Sequence, residues 1–206
     1  MKCARCGTTY YCSLAHQKSD WKRHKTACLA PAGPLSTVVK TRAEAERDGD
    51  TKFVIDAILL PWDSDTPRLV KLVCETYTDS EYGEDNLGFG STQHRADLDP
   101  YLGPHHNTFY KSMDITTLGY TGRSLGYTLS LRWRDTFLVD GSKVNQSIVK
   151  LTNGKAYHPW AGNLIAYRVD EPTSMVARCK DAKPEDLAVL AAYFVDYGKR
   201  AKELDR

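Results

Sequence analysis

The sequence predicts an α+β protein, in which a small cysteine-rich module precedes a mixed α+β domain that ends in a long amphipathic helix. Four of the six cysteines fall within the first 28 residues, whereas strand-like apolar runs begin only at about Lys52. The strand and helix signals that follow do not alternate regularly. This irregular order favours α+β over a doubly wound parallel sheet.

The composition is that of an ordinary globular protein. Hydrophobic residues make up 41% and charged residues 26% of the chain. Its apolar runs are much shorter than the ~20 residues that span a bilayer, and the N-terminus has no apolar signal region. We therefore expect a cytoplasmic or nuclear protein. The net charge of +2 conceals a basic start, since residues 1–29 hold six Lys or Arg against one acid.

The cysteine-rich module, residues 1–28, is followed by a predicted linker over residues 29–51. Its first part, Leu29–Leu35, is rich in Pro, Gly and Ala, which is typical of a connecting segment. Residues 41–47 (TRAEAER) have the composition of a short exposed helix, and Asp-Gly-Asp follows them.

Residues 52–206 are predicted to form the α+β domain. Its strands are expected at Phe53–Leu60, Arg68–Cys74, Leu125–Trp133 and Asn163–Val169. The first two are apolar, β-branched runs separated by a turn-like segment, and the third alternates like a strand with one buried face. The polar segment 77–108, rich in Gly, Asp and His, is expected to be a long loop.

Two helices are predicted in this domain. Ser142–Leu151 has apolar residues at helical spacing: Val144, Ile148 and Leu151. The last helix starts at Pro184, and Glu185 and Asp186 lie in its first turn, where acids suit the helix dipole. Its basic end holds Lys199, Arg200 and Lys202. Its apolar stripe comprises Leu187, Leu190, Ala191, Phe194 and Tyr197.

Six candidate metal ligands form three pairs in the module: Cys3/Cys6, Cys12/His16 and His24/Cys28. A C-x2-C knuckle turns tightly enough for both sulfurs to reach one ion, and an x3 pair lies one helical turn apart on one face. A structural zinc takes four such ligands in a tetrahedron. Because a reduced compartment disfavours disulfides, the cluster predicts bound Zn2+. The other two cysteines, Cys74 and Cys179, stand alone in the sequence.

Residues 10–28 resemble the C-terminal two-thirds of a MYND-type zinc finger, on these pairs and on the residues between them: Tyr11, Gln17, Asp20 and Trp21. In that family four pairs bind two zinc ions in an interleaved arrangement. The resemblance implies one complete site formed by Cys3, Cys6, His24 and Cys28. It assigns Cys12 and His16 to the other ion, as a half-site.

The finger departs from the family pattern in two ways. The family's first C-x2-C pair is absent, and His16 stands where many members have cysteine, although histidine also binds zinc. The half-site then stays empty, takes water or outside ligands, or marks a truncated gene model. We favour an N-terminally truncated finger.

The resemblance implies an interaction protein, an adaptor or regulator. MYND fingers generally bind short proline-containing peptides of partner proteins, often in transcriptional regulation, and the contributing positions correspond to Gln17 and Trp21. Trp21 either contacts such a peptide or packs within the finger. Ala4 occupies a position where some members have serine, which weakens this correspondence.

Several segments of the larger domain are similar to the uncharacterised C-terminal domain of many fungal MYND proteins: Thr66-Pro-Arg-Leu-Val, Asp99-Pro-Tyr-Leu-Gly, residues 132–141 and His158-Pro-Trp-Ala-Gly. This similarity implies no activity. The Asn-His-Ser-Cys stretch of SET methyltransferases is absent from the sequence, so that reading is rejected.

Two other functions remain open. A hydrolase or transferase would use the polar residues of the larger domain: Asp135, Asp140, Asn145 and His158, with His94, His105 and His106 in the long loop. No phosphate-binding loop, nucleophile elbow or H-E-x-x-H motif supports this. Asp140-Gly141 and His158-Pro159 are most simply turn residues, and Trp62, Trp133 and Trp160 are expected in the core. Nucleic acid could bind the basic side chains of the finger: Lys18, Lys22, Arg23 and Lys25. We favour the adaptor over both.

Overall fold

The computed structural model describes residues 11–27, 40–78, 92–104, 110–119, 122–170 and 178–198. The chain divides into two compact units, Met1–Val39 and Lys40–Arg206. Within the described ranges, no helix is long and apolar enough to cross a membrane.

The described part of the smaller unit is one helix, α1, Leu14–Ala27. Its first turn is capped by Ser13, whose hydroxyl accepts a hydrogen bond from the backbone N–H of His16 at 3.2 Å. Such a side-chain cap satisfies a donor that the helix itself leaves unpaired. The Tyr11 hydroxyl donates to Asp20 Oδ2 at 2.9 Å and ties the residues before the helix to its middle.

The larger unit is built on an antiparallel sheet. Its strands are β1 Lys52–Leu60, β2 Arg68–Thr78, β3 Thr92–Ala96, β4 Tyr110–Thr117, β5 Ser124–Arg134, β6 Leu164–Asp170 and β7 Arg178–Lys180. In the described residues the strand order is β3-β2-β1-β6-β5-β4, and β7 pairs with β6 beyond the end of its pairing with β1.

The helices of this unit are α2 Arg42–Asp48, α3 Asp99–Leu102, α4 Gln146–Leu151 and α5 Asp186–Asp196. Helix α2 begins with a capping box, in which Thr41 and Glu44 satisfy each other's backbone N–H groups. The backbone N–H of Val54 donates to the carbonyl of Lys40 at 3.0 Å, which attaches the start of α2 to β1.

Each face of the sheet has its own apolar core. On one face, Leu60 and Leu164 pack with residues of α4 and α5, among them Phe194. On the other face, Phe53 and Tyr167 pack with residues of α2, β2 and β7. Because successive side chains of a strand point to opposite faces, β6 is buried almost continuously along its length.

The four predicted strands are confirmed as β1, β2, β5 and β6. The prediction of a long loop over 77–108 is wrong in part, because β3 and α3 lie inside that segment. Strand β4 was not predicted at all. Strands β3 and β4 lie at the two ends of the strand order, and four consecutive residues of β4 are exposed. An end strand of this kind carries polar residues and lacks the apolar alternation on which sequence prediction depends.

The predicted helix Ser142–Leu151 begins later than expected, at Gln146. Val144 instead forms a bridge with Ala161. Asn145 then caps the helix, since its Oδ1 accepts from the backbone N–H of Ile148 at 2.9 Å. The preceding turn is as predicted: Asp140 Oδ1 accepts from the backbone N–H of Ser142 at 2.9 Å.

The final helix is confirmed, although it begins at Asp186 rather than at Pro184, and Leu190 and Phe194 are fully buried as predicted. Val189 is also buried, and so is the acid Asp186 at 0% exposure. The predicted basic residues at the end of the helix, Lys199, Arg200 and Lys202, lie outside the described residues.

Candidate functional site

The predicted zinc ligands are only partly described. Cys12 and His16 are placed in full, and His24 lies in α1 although its side chain is outside the description. The other predicted ligands, Cys3, Cys6 and Cys28, lie outside the described residues. The predicted complete site is therefore not tested.

The half-site brings its two ligands together. Cys12 precedes α1 and His16 follows one turn later, so that Cys12 Sγ and His16 Nδ1 are 2.7 Å apart, both on exposed residues. Zn–S and Zn–N bonds of ~2.3 and ~2.0 Å in a tetrahedron would separate the two atoms by about 3.5 Å. A small side-chain rotation reaches this separation, so the pair fits two positions of a zinc site.

Residues Gln17 and Trp21 lie four positions apart in α1. This spacing puts them on the same face of the helix. Trp21 is 37% exposed and Gln17 is half-buried. Of the basic residues assigned to nucleic acid, Lys18 is exposed. The side chains of the other three, Lys22, Arg23 and Lys25, are outside the description.

The polar residues that a catalytic site would need are not brought together. Asp135 lies 3.6 Å from Lys111 in an ion pair. Asp140 lies 3.6 Å from Arg134 and lines a cavity with Trp62. His158 lines a different cavity, next to α4. Each of these side chains has a separate structural environment.

Asn145 is a structural residue of the larger unit and is fully buried. Its Nδ2 donates to the carbonyls of Leu60 at 2.8 Å and Gly162 at 2.7 Å. Its Oδ1 caps α4. All of its amide groups are therefore used to join β1, the residues before β6, and α4.

The two described histidines of this unit, His94 and His158, are packed against neighbouring side chains. The ring of His158 lies against Phe137 and Trp160, and burial lowers its pKa. His94, predicted in a loop, is buried on β3, and its Nδ1 accepts from the backbone N–H of Cys179 at 3.1 Å. Burial also lowers the pKa of His94. The remaining pair, His105 and His106, lies outside the described residues.

The tryptophans of the larger unit differ in their surroundings. Trp133 and Trp160 are buried core residues whose rings meet edge to face at 5.3 Å. Trp62 is 36% exposed, and Lys143 Nζ lies 5.3 Å from its ring centroid. The expectation of a core position is wrong for Trp62, because it lies in the turn between β1 and β2 rather than on a strand.

Two side-chain clusters have no signal in the sequence. Asp186 accepts two hydrogen bonds of 2.8 Å from Arg168, and the guanidinium lies 3.9 Å from the ring centroid of Tyr127. Cys74 and Cys179, which stand alone in the sequence, are both buried in the same apolar cluster, and the proximity of Cys179 together with burial raises the pKa of Cys74. Their partners are far away along the chain, so no local pattern reveals them.

Comparison with known proteins concerns the N-terminal segment. Residues 1–28 match the family model of the MYND finger. Egl nine homolog 1 of Homo sapiens is 43% identical over 35 residues, which are 17% of this chain and 8% of that protein. Egl nine homolog 1 of Mus musculus is 41% identical over 34 residues, 16% of this chain and 8% of that protein.

These matches span less than a tenth of the curated relatives, and no solved structure matches the chain. The similarity of residues 52–206 to fungal proteins stays a prediction. The family match confirms the resemblance at the N-terminus: residues 1–28 are a MYND finger, a zinc-binding type of protein-interaction domain.

Proposed function

We propose that this protein is an adaptor or regulator whose finger, folded around zinc, binds short proline-containing peptides of partner proteins. The match of residues 1–28 to the MYND finger carries this proposal. Transcriptional regulation is the setting that the family resemblance favours. Among the residues of the larger unit that the structure describes, nothing favours a catalytic function over this one.

The proposed metal centre has one complete site, formed by Cys3, Cys6, His24 and Cys28. A module of fewer than 30 residues has little apolar core, so metal binding and folding are coupled. The short separation of Cys12 and His16 supports their role as ligands of a second ion. That ion would need two further ligands.

The proposed peptide surface is the face of α1 that holds Gln17 and Trp21. An exposed indole offers a flat surface on which a proline ring can pack, and the neighbouring amide can hydrogen-bond to the peptide backbone. The exposure of Trp21 supports this role.

Peptide titration tests this surface. We expect a synthetic peptide with two prolines to bind the zinc-loaded chain, and its alanine-substituted version to bind at least about tenfold more weakly, because the preformed extended conformation is lost. Trp21→Ala should weaken binding by a similar factor. Trp62→Ala is the matched control, since Trp62 is equally exposed in the other unit. Unchanged affinity in Trp21→Ala would contradict the proposed surface.

Zinc content tests the ligand assignment. One tightly bound zinc per chain is expected, lost in Cys28→Ser and retained in Cys12→Ser. Two zinc ions per chain would show that Cys12 and His16 recruit further ligands. A chain purified without zinc that takes up none on titration would contradict the metal centre itself.

The division into a finger of residues 1–28, a linker of residues 29–51 and a domain of residues 52–206 is likewise a proposal. Within this division, residues 40–48 are the part of the linker that is attached to the domain, because the start of α2 is hydrogen-bonded to β1. We propose that this domain supplies a second surface, or stability, to the adaptor.

A further inference from the structure

A shallow apolar groove runs beside helix α4 in the larger unit. It has a volume of about 250 Å3. Its apolar walls include Val144, Val149 and Tyr157, which are 51%, 40% and 42% exposed. Pro159 also lines it. Groups of exposed apolar side chains on a soluble domain are typical of interaction surfaces.

The local fold explains why these side chains stay outside the core. Helix α4 has only six residues and turns Ser147 and Ile148 inward, which leaves Val149 on its outer side. Gly154, in the left-handed region at φ 71°, turns the chain away after the helix. Tyr157 is therefore brought back across the groove from α4.

The size of the groove decides what kind of ligand it can hold. Sites for small molecules and cofactors usually enclose about 300–1,000 Å3 and bury most of the ligand. This groove is smaller and open to solvent, since its lining residues Val144 and Tyr157 are 51% and 42% exposed. It suits one or two side chains of a peptide that continues across the surface.

The lining residues all lie within residues 144–160, and this segment carries only basic charges, whereas the exposed acids Asp63 and Asp65 flank Ser64, which is hydrogen-bonded to the inward-facing Ser147 of α4. Residues 141–169 contain no aspartate or glutamate. Three exposed lysines, Lys143, Lys150 and Lys155, are chain neighbours of the lining residues Val144, Val149 and Gly154. Among the described residues, neither Lys150 nor Lys155 forms an ion pair. The rim that this segment contributes is therefore basic, and the ammonium groups of Lys150 and Lys155 are available to a ligand.

We propose that this groove is a docking site for an acidic peptide segment of a partner protein, with an apolar side chain seated against Val149 and carboxylates facing the lysines. Apolar burial supplies the contact area, and the basic rim selects an acidic sequence and speeds association. The site lies wholly in the larger unit, so it is a second binding surface in addition to the finger.

A fluorescently labelled synthetic peptide, Asp-Glu-Asp-Phe-Leu-Asp-Glu, tests the proposal on the full zinc-loaded chain. We expect saturable binding that weakens about tenfold when NaCl is raised from about 50 to about 300 mM, because exposed charges are screened. A peptide with lysine at every acidic position should not bind. Equal binding of the two peptides would overturn the proposal.

Variants locate the binding surface. Val149→Glu, and separately the double variant Lys150→Glu/Lys155→Glu, should each weaken binding at least about tenfold, because they remove the apolar contact or reverse the rim charge. Arg123→Glu and Val139→Glu are matched controls, since both positions are exposed and outside the groove. Circular dichroism melting shows whether each variant is folded.

Two outcomes would show that the peptide binds at another site or that the groove has another role. If Trp21→Ala abolishes binding while the groove variants retain it, the finger holds the peptide and the proposal is wrong. If sedimentation shows a dimer of the chain that Val149→Glu dissociates, the groove is a self-association surface and the proposal is again wrong. The binding of the acidic peptide at the groove does not depend on whether the finger binds a proline-containing peptide.

Discussion

A single buried carboxylate connects helix α5 to the sheet. Asp186 has 0% exposure and accepts hydrogen bonds from Arg168, from the Tyr127 hydroxyl at 2.6 Å and from the backbone N–H of Lys183 at 2.9 Å. The Arg168 side chain is itself only 14% exposed. Removing one partner of such a pair leaves the other charge buried and uncompensated.

Asp186→Ala should therefore lower the free energy of unfolding by about 3–5 kcal/mol, as measured by urea denaturation. Glu185→Ala is the matched control: Glu185 precedes Asp186 and lies 3.4 Å from the same guanidinium, but its side chain is 63% exposed. Glu185→Ala should lower the free energy of unfolding by no more than about 1 kcal/mol. Equal effects of the two variants would contradict the structural role of Asp186.

The same carboxylate makes stability depend on pH. Burial alone would raise the pKa of Asp186, but hydrogen bonds from Arg168, Tyr127 and Lys183 outweigh it and hold the pKa below its usual range. The stabilisation is therefore present above the unfolded-state pKa of about 3.9 and is lost as pH falls through the lower folded-state pKa.

We expect the difference in melting temperature between the unsubstituted chain and Asp186→Asn to be constant from about pH 5 to 7 and to shrink below about pH 4. Thermal melts in a pH series measure it. A difference that grows on acidification would contradict the assigned direction of the pKa shift.

At the scale of the elements, two helix caps have different importance because one is buried. Asn145, itself fully buried, caps α4 and also donates to the carbonyls of Leu60 and Gly162. Thr41 caps α2 at the surface, where water can replace it.

Asn145→Ala should lower the free energy of unfolding by about 3 kcal/mol, because the lost cap adds to the loss of the amide donor at one buried and one half-buried carbonyl. Thr41→Ala should lower the free energy of unfolding by only about 1 kcal/mol, the usual contribution of an exposed cap. Urea denaturation of both variants compares them directly. A larger loss in Thr41→Ala would show that α2 is more important for stability than its exposure indicates.

The elements also differ in how far the sequence predicts them. Strands β1 and β6 were predicted because their apolar runs follow from burial on one or both faces. Strands β3, β4 and β7 were missed because they are short or polar and owe their extended form to pairing with a neighbour. A polar segment becomes a strand only when the edge of a sheet is next to it.

At the scale of the whole molecule, we expect the two units to depend on different sources of stability. The larger unit has an apolar core on each face of its sheet. The finger has too few residues for such a core, and we propose that it depends on metal.

Chelation of zinc in the full chain should therefore reduce the far-ultraviolet helical signal by the contribution of α1. It should leave the near-ultraviolet signal of the buried pair Trp133 and Trp160 unchanged. Circular dichroism before and after a chelator, and after zinc is restored, measures both. Loss of the tryptophan signal on chelation would contradict metal-independent folding of the larger unit.

The sequence by itself determined what depends on neighbours along the chain. It identified the finger, because metal ligands must recur at short spacings, and it placed the main strands and α5 through their periodicity. Only the tertiary structure decided that Asn145 is a buried cap, that Asp186 pairs with Arg168 and that Cys74 contacts Cys179. These partners are brought together by the pairing of strands distant in sequence, and the environment of a side chain is set by what the fold places around it rather than by its own identity.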